Sequence, residues 1–460
     1  MQYTFVSGSP GRNPRLILIF AGWGMDATPF ESLVRPGYDI VVLWDYRDTS
    51  FPDNIVRGYR EIVLLAWSMG VLVAMTVIPG LKDRITLKLA VNGTPYPVDN
   101  EYGIPEAVFS GTLEGLCERT VEKFRMRMCG GSKAYADFRS CEPLRSVEEL
   151  KAELTALRDL ALRRPECTDQ WDHAVIGNGD AIFPPNNQLA AWTTHARSIS
   201  LYSGPHLPCF QDLLDHFVIS KDTVERRFER SKASYPENAM VQREIVEELF
   251  ELVKKHAGGL KHPDALELGC GTGMLSTMLV SFTENAKGTL ELWDIVDSSP
   301  LPGATFRCVD AETAIRETAE STYDLIVSAS TIQWFNSPVG FLHEAMRSLR
   351  PGGVLAVSTF VKGNLVEVAQ ATGIFLPLMS EEEWKKTATE LGDVLDLYTR
   401  SKTLYFENPV KVFRHLKDTG VNALSPKERV TLSIERYPRE ADGKCRLTYM
   451  PVFMIIRKQK

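Results

Sequence analysis

A chain of 460 residues with 44% hydrophobic and 24% charged side chains has a globular composition and room for two or three separately cored domains, which excludes a disordered, collagenous or disulfide-stapled chain. Fifty-two basic against fifty-nine acidic residues leave a formal charge of −7, so no global positive field gathers nucleic acid or anionic membrane. Eight cysteines without a C-x-x-C pair and apart from the histidines give no metal-ligand spacing.

The N-terminus, MQYTFVSGSPGRNPRL, lacks the basic start and apolar run of a signal peptide, and GVLVAMTVI is too short to span a bilayer. Isolated thiols suit a reducing compartment, so a cytoplasmic location is expected. The first half then opens with an apolar strand, RLILIFAGWG, followed by YDIVVLWDY and by EIVLLAWSMGVLVAMTVI, a buried strand that turns sharply into a helix. In AWSMG, Ser68 sits where a nucleophile elbow of the G-x-S-x-G kind exposes its hydroxyl, with Ala66 replacing the first glycine. A helix-capping serine is the competing reading.

A serine nucleophile needs a base, and the base an orienting carboxylate, in the chain order Ser, Asp/Glu, His when the fold is an α/β-hydrolase. HAVIGNGDAIFPPNNQ reads as a short buried strand whose following loop presents Asp180, and YSGPHLPCF places His206 in a later loop. Asp172 is the second choice of acid, while His173, His195 and His216 read as helix or strand residues. The backbone N–H groups of Met69, after the nucleophile, and Trp23, in an early strand loop, stand where oxyanion donors belong, although Trp23 also suits plain packing.

Together GWGMD, AWSMG, NGDAIFPPNNQLAAW and GPHLPCF resemble the esterase family, the BioG type, that hydrolyses pimeloyl-carrier-protein methyl ester in biotin synthesis. The resemblance covers about residues 1 to 216 and implies Ser68 as nucleophile, His206 as general base and acid, and Asp180 as its orienter. It implies an α/β-hydrolase domain over 1–217. A lid-like insertion at about 104–167, rich in Phe109, Leu113, Phe124, Met126, Met128 and Phe138, suits an apolar acyl channel or, equally, an ordinary helical core.

The next stretch, VERRFERSKASYPENAMVQREIVEELFELVKK, has helical periodicity broken at Pro236, which puts a domain boundary near Phe217 to Asp222. A second strand, glycine turn and helix follow in HPDALELGCGTGMLSTMLV, with Gly269, Gly271 and Gly273 in the turn and Glu267 before it. A dinucleotide fingerprint wants its third glycine at position 274, which is Met274, so S-adenosylmethionine is favoured over NAD. TLELWDI ends at Asp294, placed for ribose hydroxyls, and FRCVDAETAI offers Asp310 and Ala311 to the adenine edge. YDLIVSASTIQWF is another buried strand, and LRPGGVLAVSTF a turn followed by a further strand. Asp310 as a turn residue and Trp334 as a core aromatic remain open.

RRFERSKASYPENAMVQREI, LELGCGTG and SASTIQWF resemble the malonyl-carrier-protein O-methyltransferase of biotin synthesis, the BioC type, from about Val218 to Lys460. The resemblance implies a class I, Rossmann-like methyltransferase domain over 218–460. Its cofactor is held by Glu267, Gly269, Gly271, Gly273, Asp294 and Asp310, with Tyr235 and Gln242 bordering it. No metal is expected. The implied partner is an acyl-carrier protein bearing malonyl or pimeloyl methyl ester groups; carriers are acidic, so Lys123, Arg125, Arg127, Arg163 and Arg164, or Arg226, Arg227, Arg230 and Lys232, are candidate docking cations or simply solvated faces. The alternatives are a general carboxylesterase fused to a methyltransferase for another small acid, and a non-catalytic N-terminal carrier-docking module.

Overall fold

The apolar runs of the first half become the strands of one sheet and those of the second half the strands of another. The computed structural model describes residues 1–9, 11–81, 84–163, 167, 170–298, 301–373, 376–420 and 434–459. The chain divides into two units, Met1–Val218 and Ile219–Lys460. Among the described residues no helix is long and apolar enough to cross a membrane.

In the first unit β1 (Gln2–Ser7), β2 (Arg15–Phe20), β3 (Tyr38–Trp44) and β4 (Glu61–Trp67) lead into α1 (Gly70–Leu81) and β5 (Ile85–Val91). A helical insertion follows, made of α2 (Glu106–Glu114), α3 (Glu118–Cys129), α4 (Ser132–Phe138) and α5 (Val147–Leu162). The chain then returns through β6 (Trp171–Gly177), α6 (Pro185–Trp192), β7 (Ala196–Tyr202) and α7 (Phe210–Phe217). The sheet order is β1-β3-β2-β4-β5-β6-β7, with β1 antiparallel to β3 and the other neighbours parallel. Helices cover both faces of such a sheet, which is why β4 is buried at all seven positions and reads as an unbroken apolar run.

The second unit opens with α8 (Lys221–Ser231), α9 (Tyr235–Asn238) and α10 (Met240–Ala257). Pro236 falls in the first turn of α9, where its missing N–H costs no helical bond, so it divides the predicted helix without disturbing either part. Then come β8 (Asp264–Leu268), α11 (Met274–Asn285), β9 (Thr289–Asp294), β10 (Thr305–Cys308), α12 (Ala311–Glu317), β11 (Tyr323–Ala329), α13 (Pro338–Ser348) and β12 (Leu349–Phe360). α14 (Val366–Thr372), α15 (Glu381–Leu391), β13 (Asp393–Thr399), β14 (Lys402–Phe406), α16 (Pro409–Asp418), β15 (Cys445–Tyr449) and β16 (Pro451–Arg457) complete it, β14 pairing with β15 in a separate ribbon.

The main sheet runs β10-β9-β8-β11-β12-β16-β13, all parallel except β16, which is antiparallel to both neighbours. Strand order reverses direction between β8 and β11, and in open parallel sheets that switch point is where ligands bind. The turn predicted in LRPGGVL is absorbed into β12 as an irregularity: Tyr323 pairs with Leu349 but Leu325 with Val354, and Gly352 takes a φ of +83° between them.

Two candidate active sites

Ser68 follows the last residue of β4 with a φ of +59°, a left-handed conformation that a non-glycine residue adopts only when its surroundings enforce it. Its N–H donates to the Val91 carbonyl at 2.9 Å, and its own carbonyl accepts from Val71 as α1 begins. Gly70 is required by closeness, since a Cβ there would collide with the carbonyls of Phe20, which ends β2, and of Ala21 after it. Ala66, in the position of the first glycine, is fully buried and pairs with Phe20 of β2.

His206 Nε2 lies 2.9 Å from Ser68 Oγ, and His206 Nδ1 lies 2.9 Å from Asp180 Oδ2. An ionised carboxylate only accepts, so Nδ1 carries the proton and Nε2 presents its lone pair to the serine hydroxyl. Asp180 is held in turn by the N–H groups of Ile182 (2.8 Å) and Phe183 (2.9 Å) and by Gln188 Nε2 (2.9 Å). The Phe183 ring stacks on the imidazole with centroids 5.8 Å apart, and the His206 carbonyl accepts from Trp67 Nε1 (2.9 Å) and Asn92 Nδ2 (2.8 Å). All three groups are buried, Ser68 being 5% exposed.

The Gly22 position is close enough to this serine that a Cβ there would lie 3.1 Å from Ser68 Cβ, which puts the turn carrying Trp23 alongside the hydroxyl. Among the described residues the Trp23 and Met69 backbone N–H groups donate to no protein acceptor. The Trp23 side chain is used for packing as well, donating Nε1 to the Leu150 carbonyl at 2.9 Å and meeting Phe124 edge-on at 4.9 Å. Of the apolar insertion residues, Phe109, Leu113, Met128 and Phe138 are buried in the core, whereas Phe124 and Met126 are partly buried.

In the second unit a cleft of about 1120 Å³, part of it open to solvent, lies over the C-terminal ends of β8, β9 and β11. Glu267, Gly269, Gly271, Asp294, Asp310, Ala311, Tyr235 and Gln242 all line it. Gly269 has a φ of +75°, and a Cβ there would strike the Thr331 side chain. Gly271 has a φ of +53°, no atom within 4 Å of where a Cβ would sit, and an N–H that donates to Asp294 Oδ2 at 2.8 Å. Gly273, at +82°, is the N-cap of α11.

Glu267 is buried, and burial first, with Asp294 nearby, pushes its carboxyl up to about 8. Asp294 is raised by burial too, against the N–H bonds it accepts from Val296 and Gly271. Among the described residues Gln242 Oε1 is a buried acceptor without a hydrogen-bond partner and Glu267 Oε2 has no more than the nearby Ser276 hydroxyl, in a wall that Gly271 leaves open. Such a wall fits a ligand rich in donors and carrying positive charge, as S-adenosylmethionine is.

Asp310 both lines the cleft and caps α12, its Oδ1 accepting from the Glu312 N–H at 3.1 Å, so the turn reading and the binding reading describe one residue. Trp334 is likewise both buried and on the wall. Lys221 was not singled out in the sequence, yet its buried Nζ lies 2.7 Å from Glu312, 3.6 Å from Asp310 and 4.4 Å from the Phe335 ring centroid, and it donates to the Trp334 carbonyl at 3.0 Å. Its only sequence signal is a lone cation after the apolar FVIS run.

Other expectations are corrected. Asp172, the second choice of acid, accepts from the Lys88 N–H at 2.8 Å and pairs with Arg197 at the sheet, away from the His206 contact that Asp180 makes. His195 lies in the turn before β7, with Tyr96 Oη at 3.2 Å, and is neither helical nor in a strand. Arg125 is bound to Glu142 at 2.6 Å and to the Pro143 carbonyl, a structural cation. Lys232 donates to the Asp297 carbonyl at 2.5 Å on the cleft wall, and Arg164 lies outside the described residues. Sequence reading also passed over Gln188, which binds Asp180 and the Phe183 carbonyl within its own loop and helix, and Asn92, whose partner His206 is 114 positions away.

The model of the pimeloyl-ACP methyl esterase BioG family matches residues 2–216, and that of a methyltransferase domain matches residues 266–357. Along almost its whole length the chain is similar to a malonyl-[acyl-carrier protein] O-methyltransferase of Bacteroides fragilis, 36% identical over 474 residues that take in 99% of this chain and 95% of that protein. A malonyl-[acyl-carrier protein] O-methyltransferase of Bacteroides thetaiotaomicron is 34% identical over 53% of this chain and 100% of its own. The crystal structure of BioG from Haemophilus influenzae is similar at 35% identity, covering 45% of this chain and 94% of that one with a TM-score of 0.42. With the methyltransferase match running from β8 into β12, the second unit has the class I S-adenosylmethionine-dependent methyltransferase fold.

Proposed function

The chain belongs to the malonyl-[acyl-carrier protein] O-methyltransferase family, and from that premise we propose that it catalyses two reactions of biotin synthesis. The domain over 218–460 methylates the free carboxylate of malonyl-[acyl-carrier protein]. The domain over 1–217, an α/β-hydrolase with a helical lid, hydrolyses pimeloyl-[acyl-carrier protein] methyl ester to pimeloyl-[acyl-carrier protein] and methanol. The observation that carries the second reaction is the unbroken Ser68, His206, Asp180 chain, with both links at 2.9 Å on a strained turn.

In that reading the Ser68 oxygen attacks the ester carbonyl as His206 Nε2 takes the hydroxyl proton. Asp180 keeps the imidazole in the required tautomer, and the Met69 and Trp23 N–H groups receive the negative charge that forms on the carbonyl oxygen. The imidazolium returns its proton to the departing methoxide, methanol leaves, and water attacks the acyl-serine by the same route in reverse.

When bound, S-adenosylmethionine supplies a methyl group made electrophilic by its sulfonium. Glu267, Tyr235 and Gln242 would border it, Asp294 would accept from its ribose hydroxyls, and Asp310 with Ala311 would edge its adenine. The acceptor carboxylate is ionised near pH 7, so no general base is needed, and the Trp334 and Phe335 wall serves to exclude water and fix the line of approach. Esterification hides a charge whose desolvation in an apolar chain-elongation site costs several kcal/mol.

The test is mass spectrometry of the full chain incubated with isotopically labelled methyl donor and malonyl carrier, then with pimeloyl methyl ester carrier. Gain of one labelled methyl group in the first stage and loss of methyl in the second are expected. Methylation of free acids in preference to the carrier-bound group, or an intact pimeloyl ester, overturns the corresponding half.

A further inference from the structure

The helical insertion of the first unit reaches back to the turn that carries Trp23. Glu153, on α5, is fully buried; its Oε2 accepts from the Gly24 N–H (3.2 Å) and Arg145 Nη1 (2.8 Å), and its Oε1 from the Tyr46 N–H (3.0 Å). Tyr46 Oη in turn donates to the Ala21 carbonyl at 2.8 Å, so Glu153 fixes the turn at Gly24 directly and at Ala21 through Tyr46. α5 adds a third tie, from Trp23 Nε1 to the Leu150 carbonyl, and Arg145 reaches the Met25 carbonyl at 3.2 Å while pairing with Asp45.

A buried carboxylate is costly unless it is paired and hydrogen-bonded, and apolar side chains of the same volume close a core as well or better. Here each oxygen of the carboxylate is spent on a backbone N–H at or beside one turn, and that turn lies against the nucleophile, a Cβ at Gly22 falling 3.1 Å from Ser68 Cβ as noted. We propose that Glu153 is a positioning residue for ester hydrolysis, holding the Gly22–Gly24 turn so that the Trp23 N–H meets the carbonyl oxygen as it becomes charged. The insertion is then part of the oxyanion machinery as well as a cover over the acyl chain. Glu153 touches no substrate; it acts through Gly24 and Tyr46. The inference rests on the esterase reading above.

The experiment uses the full chain, with p-nitrophenyl butyrate as the hydrolysis probe and a trifluoromethyl ketone, whose serine adduct bears an oxyanion, as the inhibitor. For Glu153→Gln a fall in kcat of about 10- to 100-fold is expected, below the cost of deleting a donor outright, with KM within about twofold. The ketone's inhibition constant rises by the same factor, while binding of the matching unactivated methyl ketone is unchanged, a pattern that general loosening of the domain does not produce. Tyr46→Phe, which removes the hydroxyl's bonds to the Ala21 and Leu43 carbonyls but leaves the Glu153 contacts to backbone in place, gives a smaller shift in the same direction and serves if Glu153→Gln does not fold. An unchanged kcat in the variant that folds, or equal weakening toward both ketones, overturns the proposal. Hydrolysis that survives Ser68→Ala overturns the esterase reading instead.

Discussion

The Gly271 N–H donates to Asp294 Oδ2 across 2.8 Å, so the loop after β8 and the end of β9 form one hydrogen-bonded unit on the cleft wall. Gly271→Val forces a branched side chain into a left-handed backbone, costing about 1–2 kcal/mol, and fills the open space beside it. We expect binding of S-adenosylhomocysteine, followed by calorimetry, to weaken about tenfold or more, which is about 1.4 kcal/mol. Hydrolysis of an ester probe by the same preparation stays at the parental rate.

Glu267 sets a pH dependence. Its carboxyl is lifted from the ordinary 4.5 to about 8, so between those values the folded state holds a proton that the unfolded chain has released. The associated stability is complete below the lower value and is lost as pH rises through the upper one. Thermal unfolding of the ligand-free second unit should therefore move to lower temperature from about pH 5 to about pH 8. Glu267→Gln removes most of that slope, leaving the contribution in the same direction from Asp294, which burial also raises.

Ser68→Ala should reduce hydrolysis of the pimeloyl methyl ester to the residual level of a site without a nucleophile, about 10³- to 10⁴-fold above water alone, and leave methyl transfer intact. Asp180→Asn should lower kcat by about 10⁴-fold with the fold preserved, because the amide can donate to Nδ1 and stabilise the wrong tautomer. Unaltered cleavage in either variant rejects the triad assignment. Both rates are read from one preparation by carrier mass spectrometry.

In the proposed reading, the first unit must not cleave the short ester that the second unit has just made. Phe124 and Met126 are the apolar insertion residues left partly buried, and Phe124 touches Trp23 beside the nucleophile. Each extra methylene buried there is worth about 0.8 kcal/mol, or about fourfold in rate. Pimeloyl methyl ester is expected to outrun malonyl methyl ester on the same carrier, and Phe124→Ala to narrow that ratio. Equal rates in the parent protein remove chain-length selection from the insertion.

Where a candidate site is built on a local backbone device, its residues are readable in the sequence. The left-handed turn at Ser68, the glycines before α11 and the acid ending β9 each leave a short pattern of residue types, because the conformation admits few alternatives. Glu153, Asn92, Gln188 and Lys221 leave none. Their roles come from partners as far as 129 positions away or, for Gln188, from a neighbouring loop 8 positions away, and a buried Lys or Glu reads in sequence like any solvated charge. Arg125 errs the other way: the sequence counts a cation, while the structure has neutralised it against Glu142. The insertion was legible as apolar helix but not as core versus channel, since helical spacing is the same for both.

Every group assigned to hydrolysis is drawn from Met1–Val218, and every group assigned to methylation from Ile219–Lys460. In the proposed two-reaction reading, one gene product therefore delivers both catalysts in a fixed one-to-one ratio whatever its expression level. Selection can retune one turnover rate by point changes in its own half, while the dosage of protecting and deprotecting activities stays locked together.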